Sequence, residues 1–233
     1  MGRAGGLSVL IIAVASSVPG HGASNPTIPV KLQRQVLSTA ADAGGRQEWL
    51  VSANVASWVP SETAVVVVDM WDTHWCKSDV TRIQQIAVPM NATLAAAREL
   101  GIHVIFAPSD VTSYYAATAV RHRTLALPNA TLPPTRPKYN HTPPAFPLGT
   151  ATDGSCDDGH SKPGSPWTHQ LDALLIDERV DYLIAADLPG NPTAGTQELF
   201  NIIHHESVKN VVYMGVHENM CVMGRPFANE QVA

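Results

Sequence analysis

An α/β fold built on a mostly parallel sheet is what this chain predicts, and two apolar runs plus the segment after the first carry that prediction. Ala64-Val-Val-Val-Val-Asp69 and Val211-Val-Tyr-Met-Gly-Val216 are short, β-branched and almost continuously apolar, as strands covered on both faces are. After the first run, a helical pattern from about Asp79 to Leu100 puts Ile83, Ile86, Met90, Leu94 and Ala97 on one stripe. It leads into His103-Val-Ile-Phe-Ala107, a third strand-like run. Strand, helix and strand in that order read as a parallel βαβ unit.

The elements follow in chain order. Residues 1–23 read as a secretory signal: Arg3 supplies the basic start, Leu7 to Val18 an apolar stretch, and Gly20-His-Gly-Ala23 a small-residue exit. Roughly 12 apolar residues are too few to span a bilayer, which needs about 20. Cleavage near Ala23 leaves about 210 residues, one domain's worth, in a secreted or periplasmic setting. Residues 24–60 form an N-terminal extension, a polar stretch followed by Glu48 to Trp58, whose alternation suits an edge strand or hairpin packed on the main sheet.

The main domain spans 61–233. Ser78 is expected to cap its first helix, Pro89 to bend it and Gly101 to stop it. Residues 128–166 lose all periodicity among prolines and glycines, so the reading there is a long loop. Asp157, Asp158 and His160 within it lack the spacing of a metal-ligand set. Regular structure resumes with Asp172-Ala-Leu-Leu-Ile176 and Asp181-Tyr-Leu-Ile-Ala-Ala186, and a short helix over Gln197–His205, capped by Thr196, precedes the last strand.

Charge and composition narrow the partners. The net charge is −5 with only 15% charged residues, and the basic side chains gather on no periodic face, which argues against nucleic acid. No other long apolar run suits a membrane once the leader is removed. Sequons at Asn91, Asn129 and Asn140 fit a glycosylated surface. Of three cysteines, a Cys76–Cys156 disulfide would leave Cys221 free, and three reduced thiols is the competing reading.

Cys221 follows the last strand where a helix is expected to begin. A helix N-terminus lowers a thiol's pKa, and its N–H groups can hold an oxyanion. Asp69 ends the first strand abruptly. In open α/β sheets the crevice lies outside the carboxyl ends of the strands, so both residues are offered to one edge, the carboxylate as base and the thiol as nucleophile.

Val67-Val-Asp-Met-Trp-Asp72, Ala194-Gly-Thr-Gln-Glu-Leu199 and Gly215-Val-His-Glu-Asn-Met-Cys-Val222 resemble the three signature stretches of the isochorismatase-like cysteine hydrolases, the family that includes nicotinamidases. His74-Trp-Cys76 and Cys221-Val-Met-Gly-Arg-Pro-Phe227 are similar to a secreted or periplasmic branch. The resemblance implies a three-layer αβα fold with a Rossmann-like sheet and an Asp-Lys-Cys triad that cleaves amides through an acyl-enzyme. It makes Asp69 the base and Cys221 the nucleophile, gives the oxyanion hole to the N–H groups of Met220 and Cys221, and marks Val216–His217 as the place of a cis peptide. No cofactor is implied.

Three departures qualify that likeness. The triad lysine belongs after the Asp181 strand, yet Ala185-Ala-Asp-Leu-Pro-Gly-Asn191 contains none, which leaves Lys162 or Lys77 as substitutes. Some relatives hold a metal with Asp-x-His, but Ser109-Asp-Val-Thr112 lacks the His, so no metal is expected. About a dozen residues follow Cys221, fewer than the family's fold uses, and the chain therefore reads as lacking C-terminal elements.

Trp71, His74, Trp75, Tyr114 and Tyr115 are candidates to line a pocket for a flat or carboxamide-bearing small molecule. The leading expectation is a hydrolase of small amides or related C–N bonds; the sequence does not fix its oligomeric state, although the resembled fold often assembles as a homo-oligomer through its outer helices. The alternative is a catalytically silent, secreted binding glycoprotein on the same fold, favoured by the absent lysine and short C-terminus. Cleavage of a vinyl ether, which needs no cysteine, is a weaker third reading.

Overall fold

The computed structural model describes residues 26–41, 44–73, 77–108, 111–132, 175–185, 194–216, 221, 222, 225 and 227. The chain divides into two units, Met1–Pro60 and Ser61–Ala233.

The first unit is a two-stranded antiparallel hairpin of β1 (Ile28–Ala41) and β2 (Gln47–Trp58). Pairing runs from Ile28 opposite Trp58 to Leu37 opposite Trp49, then slips before Ala41 meets Gln47. The sequence reading leaves β1 as a polar stretch. Its lysine, glutamines and arginine hide the alternation of Val30, Leu32 and Val36, and the long, regular pairing with β2 makes it a strand. Trp49, Val51 and Val55, on one face of β2, are exposed.

The second unit centres on β3 (Thr63–Val68), every residue of which is buried. Two parallel neighbours flank it. β4 (His103–Ala107) pairs from Ala64–His103 to Val68–Ala107, and β6 (Asn210–Gly215) from Thr63–Asn210 to Val68–Gly215. The two-residue β5 (Tyr182–Leu183) lies beyond β4, giving the order β5-β4-β3-β6. The chain thus steps outward from β3 to β5 and then returns to the other side of β3. A parallel sheet with helices in its crossovers is the α/β class that the sequence predicts.

α1 (Lys77–Glu99) connects β3 to β4 and buries Ile83, Ala87, Met90, Leu94 and Ala97. The buried stripe is shifted to one side of the predicted one, so Ala87 is buried and Ile86 is half-buried. Ser78 lies within the first turn instead of capping it, and its hydroxyl accepts from Arg82 Nη2 at 3.4 Å. The helix runs through Pro89.

Its end is set by main-chain bonds. Gly101, at φ +82°, donates to the Arg98 carbonyl at 3.0 Å, and Ile102 donates to that of Ala97 at 2.9 Å. That bond pair is a Schellman cap, with Ile102 buried beneath it.

Two buried ion pairs tie helices to the sheet. The Arg98 guanidinium forks onto Asp181 just before β5, with Nε–Oδ1 at 2.8 Å and Nη2–Oδ2 at 2.6 Å. α2 (Ala119–Leu125), an element the sequence reading does not assign, is capped by Thr118, whose Oγ1 accepts from the Arg121 N–H at 3.3 Å. Arg121 in turn forks onto Glu198 of α3 (Ala194–His205) at 2.6 and 2.8 Å. α3 begins before Thr196, which is therefore a first-turn residue and not the cap. Leu175–Asp177 holds no regular structure and Leu175 is exposed, so the described end of the Asp172–Ile176 run does not continue as an element.

The core joins β3, β4 and β5 to α3 through Val66, Val68, Ile105, Ile184, Leu199 and Ile202, and Phe227 closes it with no exposed surface. Burying a Phe side chain contributes about 2–3 kcal/mol. The Tyr213 hydroxyl of β6 donates to the Phe227 carbonyl at 2.7 Å, fixing that residue to the sheet. Among the described residues no helix is long and apolar enough to cross a membrane.

At the last paired position of β6, Gly215 has φ +132°, and a Cβ built there would lie 2.0 Å from the Val68 carbonyl oxygen. Only a residue without a side chain lets β6 end this close to β3. Gly215→Ala is expected to destabilise the protein by on the order of 3 kcal/mol or more. Denaturant unfolding checks this, and an unchanged midpoint would contradict it.

Candidate active site

The register of β3 against β6 builds the site. Because Val68 stands beside Gly215, the chain leaves both strands at the same carboxyl edge, and the ladder reaches one residue further through Val216 N–H to Val68 O at 3.1 Å. On the other side Asp69 donates its N–H to Ala107 O at 3.3 Å. The edge lies where the strand order reverses, between β3 and β6, and that is where open α/β sheets place their ligands.

Asp69 is fully buried, with φ +51°. A left-handed backbone at a residue other than glycine costs of order 1 kcal/mol or more, though Asp tolerates it better than most. Val68 and Met70 on either side are buried apolar residues that hold the kink in place.

Cys221 is half-buried, and its carbonyl accepts from the Arg225 N–H at 3.3 Å, a helical i to i+4 bond. The turn carries the Arg225 guanidinium over the carboxylate, with Nη2 3.8 Å from Asp69 Oδ2. The charges of both Asp69 and Arg225 act on the Cys221 thiol, so thiol, carboxylate and guanidinium form one electrostatic cluster. The sequence reading joins Asp69 to Cys221 and misses Arg225. Its spacing of four residues from Cys221, on an expected helix start, is the signal that would have found it.

The electrostatics correct one expectation. A helix start was expected to lower the Cys221 pKa, but burial, followed by the Asp69 charge, pushes it up to about 12. Arg225 pulls the other way and is outweighed. The resting thiol is therefore protonated. A dry site favours the neutral form, and a carboxylate next to the sulfur adds to that preference.

The other predicted residues fall out as follows. Trp71 is 4% exposed and belongs to the interior, whereas Tyr114 is 63% exposed and meets the buried Tyr115 edge-on, centroids 5.1 Å apart. The two candidate pocket rings thus sit in different environments, one inside and one facing solvent. His74, Trp75, Cys76, Cys156, Lys162, His217 and Met220 lie outside the described residues, as does the side chain of Lys77. Asp110 is outside as well, and Thr112 is buried.

The second motif has a structural part. Gly195 admits no side chain, because a Cβ there would lie 2.0 Å from Ala185 O. Glu198 accepts the Ala185 N–H at 2.6 Å, and Arg121 donates to Leu183 O at 3.0 Å, so the Arg121–Glu198 pair fixes the end of β5. Ala194-Gly-Thr-Gln-Glu-Leu199 thereby sets the strand end that leads to 186–191, where the likeness would place a lysine.

A cavity of about 360 Å³ opens at the opposite edge, among Arg98, His103, Arg123, Asp181, Tyr182 and Glu206. Its polar groups are engaged with one another or with the backbone: Arg98 with Asp181, Arg123 with the carbonyls of Asp181 and Glu178, and the Tyr182 hydroxyl with Glu206. It lies at the amino ends of β4 and β5, away from Asp69 and Cys221 at the carboxyl edge. Among the described residues no group of three or more His, Cys, Asp or Glu could hold a metal ion.

The described geometry defines an α/β protein with a carboxylate, a thiol and a guanidinium clustered at the reversal point of its sheet. No protein-family model matches the chain, and a search of curated proteins returns no significant match.

The raised thiol pKa makes stability pH-dependent. Above about pH 8.5 an unfolded cysteine ionises while the buried one stays protonated up to about 12. The unfolded chain then binds fewer protons than the native one, so stability falls as pH rises through that window. Tyr213, its phenol raised by burial, adds to the fall only above about pH 10. Urea midpoints of Cys221→Ala are therefore expected to decline less between pH 8.5 and 10 than those of the parent; parallel declines would refute the assignment.

Proposed function

We propose that this protein is a cysteine hydrolase of the isochorismatase-like kind, acting on a small amide or related C–N bond. The observation that carries this reading is the contact of the Cys221 side chain with Asp69 at the carboxyl edge of the sheet. The parallel order β5-β4-β3-β6 supports the three-layer, Rossmann-like αβα arrangement expected from the motifs. The leader-like N-terminus favours secretion or a periplasmic location, and the acidic net charge favours a small-molecule substrate over nucleic acid.

The reaction follows from the protonation states. The resting site holds Asp69 as carboxylate and Cys221 as thiol. As sulfur attacks the substrate carbonyl carbon, the S–H proton passes to Asp69, an S–C bond forms, and the carbonyl π pair moves onto oxygen. The N–H groups of Met220 and Cys221 are the proposed donors to that oxyanion. Collapse breaks the C–N bond, the amine leaves with the proton held by Asp69, and water then cleaves the thioester with Asp69 again as base.

The burial that raises the thiol pKa favours a second reading, a silent binding protein on this fold. Turnover separates the two. A panel of small carboxamides is expected to include a substrate, and both Cys221→Ala and Asp69→Asn are expected to lower kcat/KM by at least about a thousandfold while melting near the parent temperature. Retained turnover in Cys221→Ala would falsify the nucleophile; a parent inert across the panel favours the silent reading.

A further inference from the structure

We propose that Arg225 is the positioning cation of this site, standing where the motifs lead one to expect a lysine from another part of the chain. The proposal deepens the hydrolase reading and rests on it, since it assigns the cation that stays beside one negative charge as that charge moves between the Asp69 carboxylate and the Cys221 sulfur.

Three observations support it. Arg225 lies one helical turn beyond Cys221, and the backbone bond between them fixes that spacing. Its guanidinium approaches Asp69 Oδ2 at 3.8 Å from a side chain 21% exposed, against a carboxylate that is fully buried. Its charge also acts on the Cys221 thiol, lowering the thiol's pKa against burial, so it bears on both groups between which the proton moves.

The charge balance explains why a cation is needed there. Before transfer the cluster holds a carboxylate, a neutral thiol and a guanidinium; afterwards it holds a carboxylic acid, a thiolate and the same guanidinium. The S–H bond breaks, an O–H bond forms and the net charge stays at zero. Arg225 never enters the proton transfer, because its pKa lies too high for it to give up a proton. It holds the negative charge on whichever atom carries it. The forked guanidinium suits two acceptors at once, as a single ammonium does less well.

The test reads the sulfur directly and needs no substrate. The intact protein is alkylated with iodoacetamide across a range of pH, and the Cys221 peptide is followed by mass spectrometry so that Cys76 and Cys156 do not interfere. Removing the cation by Arg225→Gln is expected to slow alkylation at least tenfold at a given pH, shifting the profile upward. Arg225→Lys is expected to recover most of that loss, and Asp69→Asn to shift the profile in the opposite direction. The double variant Asp69→Asn with Arg225→Gln, which leaves no unpaired charge, is expected to lie between the two single variants and serves if Arg225→Gln does not fold.

An Arg225→Gln profile that coincides with the parent, or an Arg225→Lys profile as slow as that of a folded Arg225→Gln, overturns the assignment. If Arg225→Gln does not fold, a double variant that alkylates as fast as Asp69→Asn alone overturns it too. Failure to cleave any amide would instead count against the hydrolase reading and leave these shifts in place.

Discussion

The near-contact of β3 and β6 at Val68 and Gly215 is the constraint on which the site depends. Parallel strands are held about 4.8 Å apart by their hydrogen bonds, and here the last rung is closed by Val216 N–H on Val68 O at 3.1 Å. With no side chain at Gly215, β6 finishes flush against β3, so the segments leaving the two strands start from adjacent points. Asp69 follows immediately, and the helical turn of Cys221 lies five residues beyond Val216. A sheet with these strands in another order would separate the carboxylate from the sulfur by the width of a strand or more.

Placing a carboxylate at the end of a wholly buried strand has an electrostatic consequence. Asp69 has no exposed surface, and a buried anion is tolerated when it is paired. The chain answers the same problem in the same way elsewhere: Asp181 takes the fork of Arg98, and Glu198 that of Arg121. Those two pairs are tight, at 2.6 Å, and anchor helices to strand ends. The Arg225–Asp69 approach is looser, at 3.8 Å, and the guanidinium is shared with a sulfur. Tight pairs secure the frame, while in the proposed reaction the looser one would leave room for a proton to move.

How much of this was legible in the sequence varies with the kind of signal. Continuous β-branched runs marked β3 and β4 to within a residue, because a strand covered on both faces has no polar positions to blur its ends. Gly101 marked the end of α1, since its left-handed conformation is needed to complete the cap. Caps at helix starts were less legible: Ser78 and Thr196 are good capping types, yet both helices begin before them. β1 was missed because its polar side chains conceal the alternation, and its strand character comes from pairing with β2. Asp69 was legible as a strand-end residue and Cys221 as a helix-start residue, whereas Arg225 offered only the weaker signal of its four-residue spacing from Cys221.

If Cys221 is the nucleophile of the proposed hydrolase, the raised thiol pKa bears on when that nucleophile forms. A catalytic cysteine that rests as thiolate relies on a helix N-terminus or a cation strong enough to overcome desolvation. Here desolvation and the Asp69 charge outweigh Arg225, so the proton stays on sulfur until something else favours its departure. In the proposed reaction, formation of the S–C bond would supply that, because the negative charge would then pass to the substrate oxygen and the sulfur would no longer bear it. General-base attack, with proton transfer coupled to bond formation, is the course such a cluster supports. The same burial that opposes ionisation also strengthens each interaction made to the charge once it appears, since fields in a dry site are poorly screened.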